Sequence, residues 1–191
     1  MQRRLRLRGV VNWINLSTPS GLALAHLGAD TVDRGPDDLW IAHGYRLPLP
    51  DAPAFTVGSV VLMRAARAAD GDPLGGVSAE LLAHEARHAT QYALCGGLLV
   101  PLAYFAASGW SWLRTGDWAS RNWFERNAGL VAGGYPERSV RPFAEAGAHL
   151  RGNARAALRR PGVGLRSPGG LGICPRLPTL HQRPERIEQP T

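Results

Sequence analysis

The chain has 191 residues, 22 basic against 15 acidic side chains, a net charge of +7, and 45% hydrophobic content. That balance excludes a wholly disordered, strongly acidic or collagen-like chain. The two cysteines, Cys95 and Cys174, are too few for a disulfide framework or a multi-cysteine zinc ribbon. All basic residues are arginine: four with no acid in 1–8 (+4), eight with two Glu in 151–191 (+6), and ten with thirteen acids in 9–150 (−3). The basicity therefore belongs to the two ends. No aromatic residues are interleaved with the C-terminal arginines to stack bases, so a nucleic-acid partner is not expected.

At the start of the chain, MQRRLRLR leads into GVVNWINL, which has the outline of a secretory signal. Asn12 and Asn15 interrupt its apolar run, so no signal peptide is read there. The expectation is a cytoplasmic protein with reduced thiols. Turn signals at 18–21, 34–38 and 47–53 punctuate the next stretch. Between them the pattern predicts strands over Gly9–Leu16, Gly21–Leu27, Leu39–Arg46 and Phe55–Met63. Gly58, inside the last of these, marks a bulge or a close backbone approach. The sum is a small, irregular antiparallel sheet.

From 76 the pattern becomes helical. Ser78 caps a helix from Ala79 to about Leu94, ended by Gly96-Gly97. At 100° per residue, Leu81, His84, His88, Gln91 and Tyr92 share one face. Ala83, Ala86, Thr90 and Ala93 form an opposite, small-residue face suited to close packing. Residues 93–113 follow without a single charge. By length this run can span a membrane; its glycines and Pro101 instead favour a helix end, a turn and a second helix from Pro101, buried in the core or resting on a membrane. A third helix is expected from Ser120 or Asn122 to Gly133-Gly134. Beyond 150 the tail holds six Pro and six Gly in 151–191 and reads as disordered, with helix only over 144–160. The expected organisation is α+β: one domain over 1–150, β-rich over 1–75 and helical and metal-binding over 76–150, followed by the 151–191 tail.

His84-Glu85-Ala86-Arg87-His88 is an HExxH sequence on the first of these helices. Residues i and i+4 stack one turn apart, so two imidazoles can converge on one tetrahedral zinc, with the intervening glutamate beside it to take a proton from water. This composition yields about 0.007 such matches by accident. The plain alternative is a polar helix face with two solvated histidines. A catalytic zinc needs a third ligand, for which Asp117, Glu125, Glu137, Glu145 and His149 are the downstream candidates. Glu125 leads because it lies on a predicted helix, although it can equally close a capping box with Asn122. Gln91 and Tyr92 read as packing or supporting groups. The tryptophans at 110, 112, 118 and 123 read as core or interfacial belt, and Cys95 as an inert small hydrophobe.

The sequence resembles gluzincin-type zinc metallopeptidases, which pair an HExxH helix with a glutamate on a following helix. The stretch H-E-x-x-H-x-x-Q, an apolar segment, then N-x-F-E-x-x-A is also similar to small bacterial HExxHxxQ proteins grouped as peptidases. The resemblance covers about 80–135. Gln91 and Leu94 stand where the longer HExxHxxGxxH pattern needs Gly and His, and Gly129 stands where an acid commonly follows ExxA. The resemblance implies a zincin-like helical half, zinc held by His84, His88 and Glu125, and Glu85 as general base in hydrolysis of a peptide substrate. Tyr135 and His149 are positional candidates for steadying the oxyanion. The alternative is a non-catalytic membrane-associated or interaction protein, seated through 93–113, whose HExxH is vestigial or accidental.

Overall fold

The computed structural model describes residues 2–48, 50, 52–64, 78–148 and 151. It is an α+β fold. Two helices, α1 (Gln2–Ile14) and α2 (Ser17–Gly28), precede strands β1 (Thr31–Arg34), β2 (Trp40–His43), β3 (Ala54–Val57) and β4 (Val60–Met63). Helices α3 (Ala79–Leu94), α4 (Val100–Thr115) and α5 (Trp123–Ala128) follow, with a 3-10 turn at Gly97–Leu99 between α3 and α4.

The first two expected strands are helices. Gly9–Leu16 is rich in β-branched and aromatic residues, but a short apolar run does not separate strand from helix by period alone. In Gly21–Leu27 the Leu-Ala alternation imitates a strand, yet its leucines and alanines are strong helix formers and none of its residues is β-branched. Leu16 joins the two helices at φ 64°, and Asn15 Oδ1 accepts from the Ser17 backbone N–H at 3.1 Å to hold the corner.

The sheet order is β1-β2-β4-β3. β1–β2 and β3–β4 are antiparallel, but the central β2–β4 pair is parallel, so the sheet is mixed and not wholly antiparallel. Phe55–Met63 is a hairpin, with Gly58 (φ +64°) opening its two-residue turn. A Cβ on Gly58 would lie 2.3 Å from the Thr18 backbone N, so the close approach expected there exists, against α2. Ser59 locks that turn: its N–H donates to Thr18 Oγ1 (3.1 Å), its carbonyl accepts from Trp40 (2.8 Å), and its hydroxyl accepts from Asn12 Nδ2 (3.1 Å).

Strand alternation sends the two halves of the core to opposite faces. Ile41, Val61 and Met63 pack with Leu82 and Ala89 of α3, while Ala42, Val60 and Leu62 pack with Ala25 of α2. α3 buries only part of the face expected from its alanines: Ala86 packs against the core, but Ala83 and Thr90 are exposed. It turns Leu82, Glu85 and Ala89 inward, because the sheet and α1 lie on that side. α4 begins as expected, with Pro101 in its first turn. The uncharged run is thus divided by the corner at 95–99, where α3 and the segment Gly97–Thr115 meet at 113°. Among the described residues no single helix is long and apolar enough to cross a membrane. α5 is capped by Asn122 as expected but stops at Gly129 (φ +100°), well before Gly133-Gly134. Residues 143–148 are helical; His149 and all but Arg151 of the expected tail lie outside the described residues.

Candidate metal centre

The early stop of α5 sets up the site. A helix end leaves its last carbonyls without intrahelical partners, and α3 side chains take them up. Gln91 Nε2 donates to Phe124 O at 2.9 Å, Arg87 Nη1 to Ala128 O at 2.7 Å, and His84 Nδ1 to Gly129 O at 3.0 Å. Three side chains of one helix thereby fix α5, and with it Glu125, against the HExxH face.

Glu125 does not close a capping box. Asn122 caps α5 alone, its Oδ1 accepting from Phe124 N at 2.9 Å. The Glu125 carboxylate instead turns to the histidines: Oε2 lies 3.1 Å from His84 Nε2 and 3.6 Å from His88 Nε2, and the two Nε2 atoms are 3.0 Å apart. Ligand atoms of a tetrahedral zinc, with bonds near 2.0–2.1 Å, sit about 3.3 Å from one another. The three groups fit a metal in spacing.

They also fit in proton count. Gln91 Nε2 donates to Phe124 O and to Asn127 Oδ1 (3.0 Å), which leaves its Oε1 to accept from His88 Nδ1 at 2.8 Å. Gly129 O accepts from His84 Nδ1 in the same way. Both neutral imidazoles are therefore N–H on the δ side and present ε lone pairs to each other. Glu125 Oε2 is buried and accepts no hydrogen bond of good geometry among the described residues. Two lone pairs and a carboxylate oxygen in mutual contact require a cation between them, a metal or a proton.

With no metal bound, the electrostatics favour a proton shared among these groups. Burial pushes Glu125 up, but His84, His88 and the Tyr104 hydroxyl outweigh it and bring the carboxyl down to about 2. Burial pulls His88 down, yet Glu125, Glu85 and Gln91 together hold it above the ordinary histidine value. Glu85 is raised by burial, partly offset by His88, the Thr56 hydroxyl and His84. Thr56, on β3, donates to Glu85 Oε2 at 2.7 Å and so ties the HExxH glutamate to the sheet edge. His84 and Glu125 are almost wholly buried, while His88 keeps 13% of its side chain open.

The other candidate ligands lie elsewhere. Asp117 caps the turn before α5 through Ala119 N and Ser120 N. Glu137 pairs with Arg126 and Arg121, and Glu145 is exposed. Among the described residues His84, His88 and Glu125 form the one group of three side chains placed to hold a metal ion. Tyr135 lies beside the site, its ring 6.4 Å from that of His84.

Besides the Thr56 and Arg87 bonds, two further contacts at the site had escaped the sequence. Tyr104 Oη donates to Glu125 Oε1 at 2.5 Å, and a Cβ on Gly133 would lie 2.5 Å from His84 Cε1. The signal for Tyr104 was its phenol in an uncharged run, since a buried hydroxyl needs a partner; Gly133 offered none beyond being glycine. No family model, curated protein or solved structure matches this chain.

Proposed function

We propose that His84, His88 and Glu125 hold a zinc ion and that the protein is a zinc-dependent metallopeptidase-like hydrolase of the gluzincin type. The observation that carries this reading is the convergence of two imidazole ε nitrogens and a buried carboxylate oxygen at 3.0–3.6 Å. A zinc so held would supply a Lewis acid, polarising a substrate carbonyl and making a nearby water more acidic. The chain's own part is positioning and proton transfer. Glu85, one residue from His84, is held at Oε2 by Thr56, which leaves Oε1 to accept the proton of the attacking water and return it to the leaving amine. Burial raises its carboxyl, which makes it the stronger base. Among the described residues β3 pairs with β4 alone, so the edge carrying Thr56 offers backbone groups to an extended peptide beside Glu85.

The test is hydrolysis of an unstructured protein substrate by the zinc-loaded chain and by Glu85→Gln. The variant retains zinc and loses about 10²–10⁴-fold in rate. A folded, zinc-loaded Glu85→Gln protein that cleaves at the wild-type rate contradicts the mechanism.

A further inference from the structure

Helix α1 is built the wrong way round for a helix packed on a soluble core. Its fully buried residues are polar or small, Arg8, Gly9 and Asn12, beside a half-buried Leu5, with Arg8 donating to Ala86 O (3.3 Å) and Asn12 to Ala89 O (2.9 Å). Its outward face carries Leu7, Val10 and Ile14, which are 64%, 54% and 76% exposed. These positions share one stripe at i, i+3 and i+7, and Arg3 extends it by one turn. An ordinary surface helix shows the reverse pattern.

The apolar stripe does not end with α1. Asn15 donates to Tyr92 O at 3.2 Å, and a Cβ on Gly97 would lie 2.5 Å from Asn15 Cγ, so the end of α1 sits against the corner between α3 and α4. That corner exposes Leu94, Leu98 and Leu102, within a run of 21 residues without charge. The exposed apolar residues of the two elements adjoin there, and the exposed charges of α1 itself are all of one sign, Arg3, Arg4 and Arg6 with no acid in 1–8, while Asp37 and Asp38 lie against the buried Arg8 and Gly9.

From this we infer that α1 and the α3–α4 corner form one docking face for an anionic lipid bilayer, with α1 lying in the plane of the interface. The leucines, Val10 and Ile14 enter the acyl boundary, and the three arginines extend to acidic headgroups. A second copy of the chain pairing through the same face is a poorer occupant, because it would bring Arg3, Arg4 and Arg6 of the two copies together. The 151–191 segment is poorer too, since its eight arginines against two glutamates repel α1.

Flotation of the full chain with phosphatidylcholine vesicles, with and without phosphatidylserine, tests the inference. The protein floats with the phosphatidylserine vesicles, less so as salt is added. Arg3→Gln/Arg4→Gln/Arg6→Gln lowers the partition by about 100-fold. Leu7→Asn/Ile14→Asn and Leu98→Asn/Leu102→Asn each lower it with all arginines in place. All these side chains are on the surface, so unchanged melting temperatures establish that the variants fold. Quenching of Trp13, read as the signal lost in Trp13→Phe, by lipids brominated in the acyl chain gives an independent reading of insertion. Wild-type protein that stays with the lipid-free fraction overturns the inference. So does equal partition of folded variants, or a dimer in sedimentation equilibrium that Ile14→Asn and Leu102→Asn dissolve.

Discussion

Gln91 decides how His88 can be used. Its amide nitrogen is occupied by Phe124 O and Asn127, so its oxygen faces His88 Nδ1 and the ε nitrogen is left to face His84 and Glu125. Groups that orient a metal-bound histidine in this way contribute about 10–100-fold to affinity. Gln91→Ala is therefore expected to weaken zinc binding by about that factor, measured by competition with a chromophoric chelator. The pH dependence has a definite sign. In metal-free protein the raised His88 contributes stability that is full below the ordinary histidine value and lost as pH rises through its own higher value. Glu125, lowered to about 2, contributes stability above the ordinary carboxylate range that is lost as pH falls toward 2. Zinc competes with the proton on His88, so the stabilisation zinc adds grows as pH rises. Thermal melts between pH 5 and 8, with chelator and with zinc, are expected to diverge toward the alkaline end; parallel curves contradict this. At this scale the HExxH spacing was legible because a helix brings i and i+4 together. Tyr104 and Gly133 were not, because chain folding over 20 to 50 residues brings them to Glu125 and His84.

The elements read well where propensity and pattern agreed and poorly where the helix faced outward. Ser78, Pro101 and Asn122 mark the starts of α3, α4 and α5 through local capping chemistry, which the sequence carries in full. α1 failed as a helix prediction because its apolar residues lie on the exposed side, so the usual link between apolar period and burial is inverted. The hairpin within Phe55–Met63 was hidden because both strands are largely apolar and only Gly58 and Ser59 separate them. Gly58 carries two burdens, a positive φ and contact with the α2 backbone. Gly58→Ala is expected to destabilise by about 2–4 kcal/mol in urea unfolding. Gly134 has φ +80° with nothing within 4 Å of a Cβ, so Gly134→Ala isolates the conformational part at about 1–2 kcal/mol. Equal costs at the two sites would mean that the packing of the hairpin turn on α2 contributes nothing.

Over the whole molecule, the sheet lies between α2 and α3, and α5 is held to α3 through side chains that also surround the candidate metal ligands. A metal at His84, His88 and Glu125 would tie two helices 41 residues apart in sequence, counted from His84 to Glu125. The net charge of +7 belongs to the ends, and the candidate site lies within the mildly acidic 9–150 body. The docking face of α1 and the α3–α4 corner is built from other residues than the metal site, so either can fail without the other. The most direct measurement is the metal content of the purified full chain beside His84→Ala, Glu125→Ala and Glu85→Gln. Stoichiometric zinc in the wild type and in Glu85→Gln, lost from His84→Ala and Glu125→Ala, is the expected result. A folded wild-type chain that takes up no zinc, or zinc retained in full by Glu125→Ala, would contradict the metal centre.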